Sequence, residues 1–363
     1  NQDCASITMA ALDSVDGFVN VSDQDAVTTL SFPQLSLVGE YVSIRNNDLL
    51  DSIGKLGRDL SIGQYLKIES NFALTQTPGL ATVSDIGTYL RVTGNAPDTR
   101  TPTFTMPMTN LKTIGGYTYI GSNNFTSIEL GAVSIGEYLD IVYNYYVQSI
   151  SMDSLSTVGQ FIGLLGNARN ASAPASASFT GLTRVQEKIR VYDDTSPSGQ
   201  LGTLTIGTEG VDCTIGTVGS EQESLDLLYA YSLENLNAPG LTTVHGNVKL
   251  NRCPLTTLEG LDNLQAISGD LEVHDCDSLT TLMGGTPSLT SVGGYVSIKA
   301  NNVLADVEGL DVLSTVGEYL LIENNPLLTS LAGLAQLDTI GIQDGGTQGL
   351  SISNNDSLAD LTG

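Results

Sequence analysis

The side chains best suited to chemistry are few and poorly grouped. The 363 residues include two His and four Cys, with 40 Asp plus Glu against 14 Lys plus Arg. His245 and His274 stand outside any HExxH or Cys/His spacing that would hold zinc. No G-x-S-x-G elbow exposes a serine nucleophile, and no G-x-x-x-x-G-K-[ST] loop cradles a phosphate. Asp193 and Asp194 form an acidic pair of the kind a polysaccharide-cleaving β-helix gathers, but solvated corner residues explain them more simply. Asp275, Asp277, Glu40, Glu137 and Glu318 offer carboxylates without a repeated Asp-rich calcium sequence. The sequence therefore predicts no catalytic residue, no metal site and no cofactor.

Charge and composition narrow the partners. A net charge of −26 repels phosphate backbones and anionic lipid headgroups, which argues against nucleic acid and membrane-surface contact. No run of about 18 apolar residues is present, so no membrane insertion is expected. Trp is absent and Gly reaches 39 residues, a profile of short strands broken by turns. The sequons at Asn20, Asn124, Asn170 and Asn355 are candidate N-glycosylation sites. With the start at Asn1, they suggest a processed protein that is secreted or displayed at the cell surface.

What positions these residues is a repeat. An apolar residue before a Gly bend recurs at Val15, Val38, Ile62, Ile86, Ile114, Ile135, Val158 and Val185. It resumes at Val244, Ile267, Val292, Val316 and Ile340, with spacings mostly of 23 to 25 residues. A repeat this short cannot bury its own apolar face and must stack on its neighbours. The expected fold is an all-β, right-handed parallel β-helix-like solenoid of about fourteen coils. Alternation such as Val296 and Ile298, or Leu320 and Ile322, points those side chains inward.

Three columns follow from this alignment. Asn47, Asn71, Asn95, Asn123, Asn144, Asn167, Asp194, Asn301, Asn325 and Asn355 occupy one corner, where amides can satisfy backbone groups left unpaired at the bend. Cys253 and Cys276 replace Asn in adjacent coils, and stacking at about 4.8 Å brings them within disulfide range. A bridge between them is expected in an oxidising compartment, two buried thiols being the other outcome. Cys4 and Cys213 are free, paired between chains, or joined by a fold-back. The third column is aromatic: Phe18, Tyr41, Tyr65, Tyr89, Tyr117, Tyr138 and Phe161, returning at Tyr295 and Tyr319. It reads either as a stripe that binds a glycan or protein, or as a ladder packed on itself. Thr-Thr pairs at 242–243, 256–257 and 280–281 hint at an outward threonine lattice that then decays.

The repeat loosens in places. Residues 1–192 read as amino-terminal coils with loops protruding near 95–110 and 166–181, residues 193–219 as an irregular insertion or kink, and residues 220–363 as carboxy-terminal coils.

Segments such as VGEYLLIENNPLLTSLAGL (316–334) and LTTVHGNVKLNRCPLTTLEGL (241–261) resemble the coils of receptor L domains, the leucine-rich-repeat-like β-helical domains of receptor ectodomains and microbial surface proteins. The resemblance covers most of residues 35–363 and implies an extracellular binding surface or scaffold. No Cys-rich module or kinase accompanies it, so signalling is not implied. The expectation is a non-enzymatic extracellular structural or adhesive solenoid that assembles with itself or other surface components, possible filament formation included. Leu361-Thr362-Gly363 carries no capping segment, so either the chain continues past Gly363 or the exposed end meets another molecule, and the second tilts the expectation towards assembly. The alternative is a recognition ectodomain that binds a protein or glycan along its Tyr-lined face.

Overall fold

The computed structural model describes residues 5–95, 104–171, 173–192, 201–216, 223–282, 287–341 and 349–359. It is an all-β parallel solenoid of about 13 turns of about 24 residues. Helical structure among the described residues is confined to short 3-10 segments at Pro78–Thr82, Glu259–Leu261 and Ala332–Leu334. Among the described residues no helix is long and apolar enough to cross a membrane. The chain divides into two compact units, Asn1–Gly181 and Leu182–Gly363.

In the first unit the main ladder runs through Val19–Ser22, Val42–Arg45, Leu66–Glu69, Leu90–Thr93, Thr118–Gly121, Leu139–Val142 and Ile162–Leu165, each parallel to the next. The pairing is in register by side-chain role, so Val42, Leu66 and Leu90 stack in one inward file and Ile44, Ile68 and Val92 in another. All six are buried. Burying each stabilises by ~1.5–3 kcal/mol, and the core is continuous because every rung contributes the same two positions. Two-residue strands that hold the anchors, such as Leu37–Val38, Thr113–Ile114 and Ser134–Ile135, form a second ladder. A third side carries Ser6–Thr8, Thr29–Ser31 and Ser52–Ile53, then Phe104–Met108, Phe125–Leu130, Ser149–Ser151 and Ala175–Phe179.

The second unit repeats the plan, with its main ladder in Ile189–Tyr192, Glu223–Leu228, Asn247–Asn251, Leu271–His274, Val296–Lys299, Leu320–Glu323 and Leu350–Ser353. Its third side holds the pair Leu201–Ile206 and Asn235–Asn237.

Two local devices make the rungs stackable. The bend glycines sit so close to the preceding rung that a Cβ on Gly63 would meet the Gly39 carbonyl oxygen at 2.1 Å, and one on Gly87 the Gly63 oxygen at 2.0 Å. After each long strand the chain turns through a left-handed residue, such as Asn46 (φ 53°), Ser70 (52°), Ser122 (55°), Tyr143 (54°) or Arg252 (55°). Gly94 and Gly166 take the same place at φ 66° and 59°. The conformation costs a non-glycine residue roughly 1–2 kcal/mol, which the stacked register around it must offset.

The expected loops are partly strand. Ala175–Phe179 pairs with Ser149–Ser151, burying Ala175, Ala177 and Phe179 while Ser176 and Ser178 face out. An Ala/Ser run that looks featureless is thus a period-2 strand with small inward residues. Phe104–Met108 falls likewise within 95–110, and Leu201–Ile206 and Cys213–Gly216 within 193–219. Part of each expected irregular segment, including Asp193 and Asp194, lies outside the described residues. The boundary between the compact units precedes residue 193.

Candidate functional site

The corner asparagines are inside. Asn47, Asn71, Asn95, Asn123, Asn144 and Asn167 are buried and form an unbroken ladder. Each Nδ2 donates to the Oδ1 one rung on, at 3.1, 3.0, 3.0, 3.2 and 3.1 Å in order from Asn47 to Asn167. That Oδ1 also accepts the backbone N–H of the preceding Asn, as from Asn71 to Asn95 at 3.2 Å. The remaining amide proton reaches back, as from Asn71 to the Ile44 carbonyl at 3.1 Å. One side chain thus joins three rungs and pairs backbone groups that no strand partner could reach.

The second unit interrupts this column. Its ladder resumes at Asn301, which donates to Asn325 at 3.2 Å, and Asn325 to Asn355 at 3.2 Å. Before it stand Ala230, Cys253 and Cys276, all buried. Both sulfurs are thiols in this structure. Cys253 Sγ donates to the Leu227 carbonyl at 3.1 Å, and the Cys276 backbone N–H donates to Asn301 Oδ1 at 3.0 Å. The two thiols stand on adjacent rungs, and the neighbouring Cys276 thiol together with burial pushes the Cys253 thiol well up. Cys213 is a third thiol, buried at 0% exposure, and burial pushes it up to about 12. Cys4 lies outside the described residues.

The aromatic column is a stack. Phe18, Tyr41, Tyr65, Tyr89, Tyr117, Tyr138 and Phe161 follow one another at centroid distances of 4.8, 4.6, 4.6, 4.7, 4.9 and 5.0 Å, with interplanar angles of 1° to 8°. Each interior ring is sandwiched, so both its faces are taken and only the phenol edge meets solvent. Phe18, at 52% exposure, opens one face. Burial raises the Tyr89 phenol to about 12. In the second unit the same position holds Lys188, Asn247 and Asp270 before Tyr295 and Tyr319 stack at 4.6 Å. There oxygens replace rings: Asn247 Oδ1 accepts the Asp270 N–H at 2.8 Å, and Asp270 Oδ1 accepts the Tyr295 N–H at 3.0 Å.

Charged side chains on the main ladder's outer face pair both within a rung and across rungs. Glu69 accepts from Lys67 Nζ at 2.8 Å and Arg91 Nε at 2.7 Å, while the Arg91 guanidinium lies 4.7 Å over the Tyr119 ring. Burial opposes ionisation of Glu69, but those two hydrogen bonds win and hold it below the usual carboxylate range. In the second unit Glu272 gathers Lys249 at 3.3 Å and the Tyr295 hydroxyl. His274 Nε2 is 2.7 Å from Ser297 Oγ, and burial lowers its pKa against the pull of Glu272. Among the described residues no three His, Cys, Asp or Glu side chains cluster as a metal site requires.

The sequons separate into two kinds. Asn20 and Asn170 are exposed. Asn124 is 9% exposed, and Asn355 spends its amide on the ladder, donating to the Ile322 carbonyl at 2.9 Å. The threonine pairs also turn to structure, because Thr280 Oγ1 donates to the Thr256 carbonyl at 3.2 Å and Thr242 Oγ1 to the Cys213 carbonyl at 3.4 Å. Sequence reasoning located both ladders but missed the ion pairs and the left-handed file. Gly94 and Gly166 were the available signal for that file, being the two glycines in a position otherwise filled by unrelated residues.

No family profile, curated protein or solved structure significantly matches the chain.

Proposed function

We propose that this chain is a non-enzymatic extracellular structural or adhesive solenoid, similar in its coils to receptor L domains, that assembles with itself or with other surface components. The observation that carries this reading is where the polar and aromatic side chains are spent. The columns that could have presented a site instead face the next rung: asparagine amides bond along the stack and tyrosine faces are covered by tyrosines. That allocation favours a scaffold over a sugar platform, which would need open ring faces. Assembly draws support from exposed apolar side chains that a second molecule could cover, Met9 at 50% and Phe18 at 52% exposure in one unit and Leu350 at 57% in the other. A rung edge is completed by another rung, whether the same polypeptide or a second one supplies it. Glycans at Asn20 and Asn170 would sit on exposed positions compatible with this location.

Light scattering across a hundredfold concentration range tests the proposal. The expected result is mass that grows with concentration, reduced by Phe18→Asp or Leu350→Lys, with elongated particles in negative stain. A sharp monomer at every concentration, with or without reductant, would overturn it.

A further inference from the structure

The stacked pair of the second unit differs from the first unit's column in one contact. Tyr295 and Tyr319 lie face to face at 4.6 Å with an interplanar angle of 10°, and the strands that follow them, Val296–Lys299 and Leu320–Glu323, pair in register. The Tyr295 hydroxyl donates to Glu272 Oε1 on the preceding rung. Tyr41, Tyr65, Tyr89, Tyr117 and Tyr138 stack in the same way, yet among the described residues none of their hydroxyls donates to a carboxylate. Lys249 Nζ lies 3.3 Å from the same Glu272 oxygen, and His274 Nδ1 is 4.0 Å from the other. Burial, with the bond to Glu272, holds the Tyr295 phenol well above its usual range, so its proton stays on oxygen in the resting protein. Both rings are half-buried, which leaves part of each in reach of solvent. Removing an electron from a phenol makes its proton far more acidic, and a carboxylate already bonded to that hydroxyl takes the proton without rearrangement.

We propose that Tyr295 is a one-electron oxidation site, with Glu272 as its proton acceptor and Tyr319 as the ring it couples to, so that an activated peroxide ties two rungs together as dityrosine. Tyr295 gives up an electron and passes its phenolic proton to Glu272. Tyr319 gives up a second electron and sheds its proton to water. The two phenoxyl radicals join through ring carbons ortho to oxygen, and the hydrogens on those carbons move to the oxygens, restoring two phenols. Glu272 then returns its proton to solvent. Two electrons and two protons have left the protein, and one hydrogen peroxide takes them up as it becomes two waters. Stacking supplies the coupling partner in advance, because the second ring is already held at 4.6 Å from the first. The new bond lies along the stack, in the direction of the hydrogen bonds between rungs, and makes one of those links covalent.

Tris(bipyridyl)ruthenium under visible light is the probe, with persulfate standing in for peroxide as the final electron acceptor. It removes electrons from phenols one at a time without entering the protein. The folded full-length chain is irradiated briefly and digested, and dityrosine-linked peptides are mapped by mass spectrometry. The link between Tyr295 and Tyr319 should form at least about fivefold faster than any link among Tyr41, Tyr65, Tyr89, Tyr117 and Tyr138. Glu272→Gln keeps an oxygen that accepts the hydrogen bond but cannot take the proton, so it should slow that link about tenfold while links in the first unit keep their rate. Tyr319→Phe should abolish the link and leave the radical on Tyr295 to be caught by a nitroso spin trap. Two outcomes would overturn the proposal: links in the first unit of the wild type as fast as the one between Tyr295 and Tyr319, or a Glu272→Gln rate equal to wild type. The first needs no substitution, so it decides even where a variant fails to fold, and neither depends on whether the chain assembles.

Discussion

The same two columns are built differently in the two units. In the first, the corner is asparagine at every rung from Asn47 to Asn167, and seven rings stack without a gap. In the second, the corner runs through Ala230, Cys253 and Cys276 before Asn301, and polar groups stand in most of the aromatic file. The backbone rungs nonetheless keep the same parallel register. Inward packing therefore suffices to specify the coil, and the side-chain ladders add cross-rung bonds that one unit has in excess and the other lacks locally.

This contrast can be broken most severely at the amides. Asn95→Ala removes bonds to Asn71, Asn123 and the Ile68 carbonyl together, leaving buried donors and acceptors unpaired. It should cost about 3–5 kcal/mol in urea unfolding, against about 1 kcal/mol for Cys253→Ala, whose sulfur makes weaker bonds. Equal losses would mean that the ladder contributes no more than its volume. The rings come next. Tyr89→Ala removes two stacked neighbours and should cost about 2 kcal/mol, while Tyr319→Ala, with one partner among the described residues, should cost about half that. Thermal melts of the two variants measure the difference directly.

The smallest effect lies in the outer-face charges and differs in sign between units. Glu69 has its pKa held down in the folded state, so its contribution is present above the unfolded carboxyl value of about 4.3 and is lost as pH falls through the lower folded value. Wild type should therefore lose stability relative to Glu69→Gln on acidification below about pH 4. Asp270 is pushed up by burial, so its contribution is full below the unfolded value of about 3.9 and lost as pH rises through the folded value. Asp270→Asn should match or exceed wild type at neutral pH and lose that advantage in acid. Melting curves from pH 3 to 7 on both pairs decide it.

The period was legible because Val38, Ile62 and Ile86 precede the same Gly bend, and the corner column because a buried amide has so few substitutes. Column identity also exposed Cys253 and Cys276 as neighbours. What stayed hidden depends on geometry without a residue signature. The left-handed file holds Asp, Asn, Ser, Tyr, Arg and Ala because the stack imposes the backbone angle whatever the side chain. The strand Ala175–Phe179 was masked by its small residues, and the Lys67–Glu69–Arg91 cluster becomes visible only once adjacent rungs are set in register. The aromatic column was found by spacing, but whether its rings face outward or each other depends on side-chain angles that spacing does not contain.

Every cross-rung fastener described here, backbone bond, amide or ring pair, points along one direction within its unit. A unit pulled from its terminal strand is therefore loaded like a zipper and not like a clasp: force falls on one rung's bonds at a time. Each release would free about 24 residues, a contour gain of roughly 80 Å. Such a body yields by paying out chain in even steps, and it re-forms by winding those steps back onto a rung that never left.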